Sequence, residues 1–183
     1  MHPELPFRTS NQVAQYLREP FGPEAEFSLL ETEFGWVCRP ILTQQEMAAG
    51  LGLGLGNFVV NKQTGVITEH RSLPPEVIGQ EFDQAIRSGQ PVQGARVYPP
   101  TWTVQIQATR ETPTDIEYRV QARSLTDPPA EPPIDHLLLI NKQTFHMVTN
   151  VQVIHPACSE AAAWAEDRSQ ETGTWPQAGT FQF

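Results

Sequence analysis

The chain has 183 residues, 39% of them hydrophobic, and its 12 basic against 21 acidic side chains give a formal net charge of −9 at neutral pH. That balance argues against a general nucleic-acid binder or a protein held on anionic membranes, because both classes need lysine and arginine to meet phosphate groups. The same balance is compatible with a positively charged partner.

The first half predicts a helix, four strands and a second helix. Thr9 and Gln12 have the spacing of a capping box, so we expect a helix over residues 9–19 that ends before Pro20. Two strands over residues 26–41 and a hairpin over 57–68 follow. The second helix is predicted to begin at Pro74-Pro75 and to end before Gly89.

The second half repeats this strand pattern. Alternation over residues 101–107 places Trp102, Val104 and Ile106 on one face of a strand. The remaining predicted elements are a turn at 111–115, a strand at 116–122, a hairpin at 137–148 and a helix from Pro156 to about Arg168. Residues 126–133 are predicted to be a loop and 173–183 a polar tail, which its three aromatic residues can anchor to the body of the protein or to a partner.

A tetrapeptide, Asn-Lys-Gln-Thr, supports an internal duplication. It occurs at 61–64 and again at 141–144, each time between two apolar stretches typical of a hairpin. Gly65 follows the first copy and suits a left-handed turn position. Phe145 follows the second copy, and a bulky residue there costs about 1–2 kcal/mol, so we expect the second turn to be built differently.

These patterns predict an α+β fold of two related units, residues 1–90 and 91–183, because no strand–helix–strand alternation is sustained. Each unit is expected to form an antiparallel sheet of about four strands with a packed helix.

No motif predicts a catalytic, cofactor-binding or metal-binding residue, so we expect no enzyme and no cofactor. The glycine-rich string at 50–56 precedes a strand, whereas a dinucleotide fingerprint opens a helix. The five histidines form no metal-binding pattern. Cys38 and Cys158 are expected to be reduced, buried thiols, with a disulfide between them as the less favoured alternative.

We also expect a cytoplasmic protein with no membrane contact. The longest weakly polar run, residues 47–60, is interrupted by glycines and is too short to cross a bilayer. The N-terminal residues show neither the basic nor the apolar region of a signal peptide.

The first half resembles the immunity protein 35 type of bacterial polymorphic toxin systems. The resemblance covers roughly residues 10–88 and lies in Gly35-Trp36-Val37, in Gly56-Asn57 before the hairpin that contains Lys62 and Thr64-Gly65, and in Pro75-Glu76. Residues 91–170 resemble a degenerate copy, in which Trp102 and the tetrapeptide remain. Trp36, Gly56, Asn57, Gly65 and Trp102 are interpreted as structural residues of this motif.

The resemblance implies a protein that binds and neutralises a cognate toxin encoded next to it, and it implies no catalytic residue. We expect the contact surface to include Glu69 and His70 and the stretch at 126–135 with Asp127, Glu131 and Asp135. Two alternatives stay open: a small thiol-dependent hydrolase or transferase that uses Cys38, Cys158 and a histidine, and a self-associating structural module. The sequence does not decide between a monomer and a homodimer.

Overall fold

The computed structural model describes residues 7–52 and 54–183 and confirms the α+β class. These residues form four helices and two five-stranded antiparallel sheets, one sheet in each of two compact units. Unit 1 ends at Pro99 and unit 2 comprises Pro100–Phe183. Unit 1 extends past the predicted boundary at residue 90, because the strand before Pro99 pairs with its sheet.

Unit 1 contains three helices and one sheet, in which the strands lie in the order β1-β2-β3-β4-β5. The elements are α1 (Ser10–Phe21), β1 (Phe27–Glu31), β2 (Gly35–Pro40), α2 (Gln44–Ala48), β3 (Asn57–Asn61), β4 (Ile67–His70), α3 (Pro75–Ser88) and β5 (Ala95–Tyr98). The capping box of Thr9 and Gln12 forms as predicted, but α1 continues through Pro20 to Phe21. The sequence patterns predict neither the short α2 nor β5.

Helices cover both faces of the sheet in unit 1. Trp36, Cys38 and Val60 share a core with Val13 and Leu17 of α1. Val37 and Val59, the neighbours of these residues along the strands, pack against Ile78 and Phe82 of α3. Successive side chains of a strand point to opposite faces, so a continuous apolar run is needed for a sheet that is buried on both sides.

Unit 2 contains one helix and one sheet in the order β10-β6-β7-β8-β9. The elements are β6 (Trp102–Glu111), β7 (Asp115–Ser124), β8 (Ile134–Asn141), β9 (Met147–Thr149), α4 (Pro156–Thr172) and β10 (Ala178–Gln182). Its core lies between α4 and the face of the sheet that carries Trp102, Ile106 and Tyr118. The alternating sequence of β6 and β7 therefore gives one apolar and one polar face.

The two units share a four-stranded meander and diverge after it. Strands β1–β4 and β6–β9 follow one another in the same order, as the duplication predicts. The fifth strand then joins opposite edges, since β5 pairs with β4 whereas β10 pairs with β6. The prediction of about four strands a unit is thus one strand short. The segment at 173–183 contains the strand β10 and is not a loop, and Trp175, Phe181 and Phe183 anchor it to the core of unit 2.

The second Asn-Lys-Gln-Thr turn is built like the first, so the expectation of a different turn is wrong. The Asn61 Oδ1 atom accepts the N–H groups of the two residues at 63 and 64 at 2.8 and 3.0 Å. Asn141 makes the same pair of bonds at 3.1 and 2.9 Å. Phe145 adopts φ 57° where Gly65 adopts φ 71°. The asparagine bonds hold the turn, and Phe145 accepts the strained conformation.

Substitution of Gly65 by alanine should lower the free energy of unfolding by more than the about 1–2 kcal/mol expected from the left-handed backbone alone. A Cβ atom at Gly65 would lie 3.2 Å from both the Phe7 ring and the Tyr16 hydroxyl. Gly173→Ala is the matched control, because Gly173 has φ 73° and open space around it. Denaturant unfolding of both variants measures the difference, and equal losses would contradict the packing argument.

Candidate functional site

The two lysines of the chain make the same contacts in the two units. The Lys62 Nζ atom donates to the Glu31 carboxylate at 2.8 Å and to the Thr32 carbonyl oxygen at 2.6 Å. The corresponding bonds of Lys142, to the residues at 111 and 112, measure 2.6 and 2.8 Å. The ammonium group thus ties the first turn of each meander to the Asn-Lys-Gln-Thr turn.

The sequence carries a signal for this contact that the tetrapeptide alone does not reveal. A Glu-Thr dipeptide occurs at 31–32 and again at 111–112, so its two copies have the same offset as the two lysines. In unit 2 the hydrogen bond from Lys142 is the main cause that lowers the pKa of Glu111, so this carboxylate stays ionised. The repeated lysine contacts are structural, because they are made within each unit.

Trp36, Gly56 and Asn57 lie at close-packed positions of unit 1. The buried Trp36 ring donates its Nε1 hydrogen to the Phe7 carbonyl oxygen at 2.9 Å. A Cβ atom at Gly56 would lie 2.5 Å from the backbone oxygen of His70, which only glycine avoids. Buried Asn57 donates its Nδ2 hydrogens to the carbonyl oxygens at 71 and 73, and so holds the chain between β4 and α3.

Trp102 and Gly65 also take part in internal contacts. The Gly65 carbonyl oxygen accepts the Tyr16 hydroxyl at 2.8 Å. Trp102 is 8% exposed, and its ring lies edge-on to His155, with the ring centroids 4.9 Å apart. These internal contacts indicate that both residues stabilise the fold.

Glu69 and His70 are neighbours on β4, but only Glu69 is exposed. His70 is 8% exposed, its Nε2 atom lies 2.8 Å from the Thr68 hydroxyl, and its ring packs edge-on to Phe82. Burial lowers the pKa of His70, so the ring is neutral at pH 7. A partner on this surface would therefore meet the carboxylate of Glu69 and little of the imidazole.

Asp127, Glu131 and Asp135 all belong to unit 2. The first two are exposed on the connection between β7 and β8, residues 125–133, and Asp135 is exposed near the start of β8. Glu131 lies 3.2 Å from the Nε2 atom of His155. Asp135 pairs with Arg119, and the hydrogen bond from that guanidinium is the main cause that lowers the pKa of Asp135.

Asp135 adjoins the polar face of the sheet in unit 2, because it accepts a hydrogen bond from Gln121 on that face. Glu131 instead contacts His155 at the start of α4. No helix of unit 2 packs on the polar face within the described residues, because α4 covers the other one. A shallow hollow of about 410 Å³ lies on it. The polar side chains that line the hollow are Thr103, Gln105, Gln121, Arg123 and Thr180.

The cysteines are both free and buried, as expected. The Cys38 thiol donates to the Trp36 carbonyl oxygen at 3.3 Å, and burial raises the pKa of this thiol to about 12. Cys158 lies 3.8 Å from the Nδ1 atom of His136, and burial raises its pKa too. A catalytic thiol needs a lowered pKa and access to substrate. The Cys158–His136 pair has the distance of a catalytic dyad, but the pKa of its thiol is raised and not lowered.

The remaining candidate features concern metals, nucleotides and membranes. Within residues 7–52 and 54–183, no three His, Cys, Asp or Glu side chains are grouped so that they could hold a metal ion. The glycine string at 50–56 lies between α2 and β3 and does not open a helix, and Leu53 is outside the described residues. None of the helices that the structure describes has both the length and the apolar character needed to cross a bilayer.

Comparisons with known proteins give no relative: no family model matches the chain, and no curated protein or solved structure matches it significantly. The resemblance to immunity proteins therefore stays a prediction from the residues. The surfaces of the chain itself are the remaining guide to its function.

Replacement of Lys62 or Lys142 by methionine should each lower the free energy of unfolding by about 1.5–3 kcal/mol, the range for hydrogen bonds that involve a charged group. Their side chains are only 22% and 15% exposed, so water replaces the lost bonds poorly. The control is Arg168→Met, which removes an exposed pair with Glu171 and should cost about 0.5 kcal/mol or less. Denaturant unfolding with losses no larger than in the control would contradict a structural role.

Both cysteines should resist alkylation by iodoacetamide in the native protein at pH 8 and should react fully once the chain is unfolded. The physical reason is that each side chain is buried and its raised pKa lowers the fraction of reactive thiolate. Mass spectrometry of samples quenched over time measures the rates. Rapid native labelling of Cys158 would instead support the thiol-dependent enzyme.

Proposed function

We propose that this chain is an immunity protein, which binds a cognate bacterial toxin through protein–protein contacts and thereby neutralises it. The resemblance over residues 10–88 supports this proposal, and so does the charge of the chain. Residues 1–99 contain 11 acidic and 7 basic side chains, and residues 100–183 contain 10 and 5. An acidic excess in both units would speed the encounter with a basic toxin domain.

The observation that carries the proposal is the surface formed by residues 125–135 and the polar sheet face of unit 2. The polar face presents Asp135 beside glutamine, threonine and Arg123 side chains, and the connection at 125–133 adds the exposed carboxylates of Asp127 and Glu131. Such a mixture of charge and hydrogen-bonding groups is typical of the polar contacts in protein interfaces. This surface is the proposed contact region for the toxin.

Two of the three carboxylates are already held in place. Glu131 is held by His155, whose Nδ1 atom accepts the N–H group of Ala157 at the start of α4. Asp135 accepts bonds from Arg119 and from the Gln121 amide, the latter at 3.0 Å. Side chains that are ordered before binding lose less conformational entropy in the complex. The surface is thus suited to tight association.

The test is co-expression with the product of the adjacent gene, followed by calorimetry on the purified pair. We expect the chain to restore growth to cells that produce the toxin and to form a one-to-one complex. Absence of both binding and rescue would sink the proposal. Sedimentation of the chain alone tests the self-associating module, which requires a concentration-dependent dimer or larger species.

The proposed surface is tested by the triple variant Asp127→Asn, Glu131→Gln, Asp135→Asn. Loss of three charges at the interface should weaken the complex by about tenfold or more, mainly through a slower association rate. The control removes three charges from α4 of the same unit: Glu160→Gln, Asp167→Asn and Glu171→Gln. Equal effects of the two triple variants would show that net charge, and not this surface, governs binding.

A further inference from the structure

Unit 1 contains a second surface feature, an open hollow of about 600 Å³ with an aromatic floor. It lies between the end of α1, the start of β1 and the chain that joins β2 to α2. The rings of Phe21, Phe27 and Phe58 form the floor, with centroids 5.2, 4.6 and 6.2 Å apart. All three rings are only partly buried, and Ile41 at the edge is 52% exposed. We call this feature the aromatic hollow.

Apolar surface of this kind is unfavourable in water and marks interaction sites in soluble proteins. Within unit 1 the three rings contact one another, and their exposed faces remain open to solvent. The segment beyond the hollow adds two more exposed apolar side chains, Met47 at 57% and Leu51 at 58%. The exposed apolar area thus extends beyond the ring cluster.

The charged side chains that line the aromatic hollow, among the described residues, are all acidic: Glu24, Glu26 and Glu46. Glu46 is fixed in position, because its Oε2 atom accepts both the N–H and the hydroxyl of Thr43 at 2.7 and 2.8 Å. The backbone bond from Thr43 is the main cause that lowers the pKa of Glu46, so the carboxylate is ionised at neutral pH. An aromatic floor with an anionic rim discriminates strongly by charge.

We propose that the aromatic hollow is a docking site for a protein segment that presents arginine or lysine next to an apolar side chain. An aromatic face attracts a cation and also packs against the methylene stem of these long side chains. The head group then reaches the carboxylates of the rim, which is the pairing that gives orientation and partner choice. The neighbouring apolar side chain covers the exposed ring faces and Ile41.

The charges argue against the other occupants. A second copy of this chain would bring another −9 of net charge toward an acidic rim, which opposes self-association there. An acidic segment meets the same repulsion, and a neutral apolar ligand leaves the three carboxylates partly desolvated without a counter-charge. The basic, apolar segment alone satisfies both the floor and the rim.

The inference goes beyond the proposed function, because the aromatic hollow can hold such a segment from any protein. Failure of toxin neutralisation would leave it standing, and its test needs no toxin. The probe is a capped hexapeptide of sequence Ala-Arg-Leu-Phe-Lys-Ala, titrated into the full chain and followed by NMR. A dissociation constant in about the millimolar range would support the proposal, because a short flexible peptide loses much conformational entropy when it binds.

We expect the peptide to shift the ring signals of the three phenylalanines and the methyl signals of Ile41. Two control peptides separate the contribution of charge from that of apolar contact. One has glutamate in place of arginine and lysine, and the other has serine in place of leucine and phenylalanine. Both should bind at least about tenfold more weakly. Equal binding of all three peptides, or no shift at these residues, overturns the proposal.

Variants of the exposed rim complete the test without disturbing the core. The double variant Glu24→Lys with Glu26→Lys should weaken peptide binding by at least about tenfold, and Ile41→Ser should weaken it by about threefold or more. The matched controls are Glu160→Lys with Asp167→Lys on α4, which change the net charge equally, and Val153→Ser, at a position where valine is 82% exposed. The inference is contradicted if the control variants weaken peptide binding as much as the rim variants do. It is also contradicted if the chain forms a dimer that Ile41→Ser abolishes.

Discussion

The meander of each unit depends on a lysine that joins two turns at one end of its sheet. In unit 1 the Lys62 ammonium bonds a carbonyl oxygen of the β1–β2 turn, and its backbone N–H donates to the Phe34 carbonyl oxygen at 2.9 Å. In unit 2 Lys142 repeats both contacts. Because β1, β2, β3 and β4 are sequential neighbours, fixing these turns also fixes their register. The cores described above require that register.

The helix that follows each meander determines how the two units differ. Position 37 of β2 is valine and position 59 of β3 is valine, whereas the equivalent positions of unit 2 are Glu117 and Leu139. The valines allow α3 to cover that face, and Asp83 of α3 accepts the N–H groups of Glu33 and Phe34 at 3.0 Å. A charged residue at position 117 disfavours the same burial, and α4 lies on the opposite face.

Much of the fold could be predicted because alternation and turn chemistry are local signals. Strands with Trp102 or Ile116 on a buried face follow from period two, and the Asn-Lys-Gln-Thr turns follow from their asparagines. The missed strand β10 has glycine, threonine and glutamine, and its pairing with β6 is a long-range contact. Phe145 shows that a strong local turn can impose a backbone conformation that the residue itself disfavours.

The candidate surfaces were predictable only in part. The acidic residues at 127, 131 and 135 lie close in sequence, so their position on or beside the β7–β8 connection follows from the chain itself. The burial of His70 depends on Phe82 of α3, which no local pattern shows. The aromatic hollow gathers rings from positions 21, 27 and 58, and its rim includes a carboxylate from position 46. Only the tertiary fold brings these segments together.

The placement of the fifth strands sets the order in which the sheets can be completed during synthesis. All strands of unit 1 are available once residue 98 has left the ribosome, because β5 adds to the adjacent β4. The strand β6 of unit 2 lacks one neighbour until residue 182 has emerged, since β10 pairs along it. Unit 2 therefore passes through a stage in which the edge of β6 is unpaired after the sheet of unit 1 is complete. An unpaired strand edge of this kind can bind a chaperone or pair with another chain and aggregate.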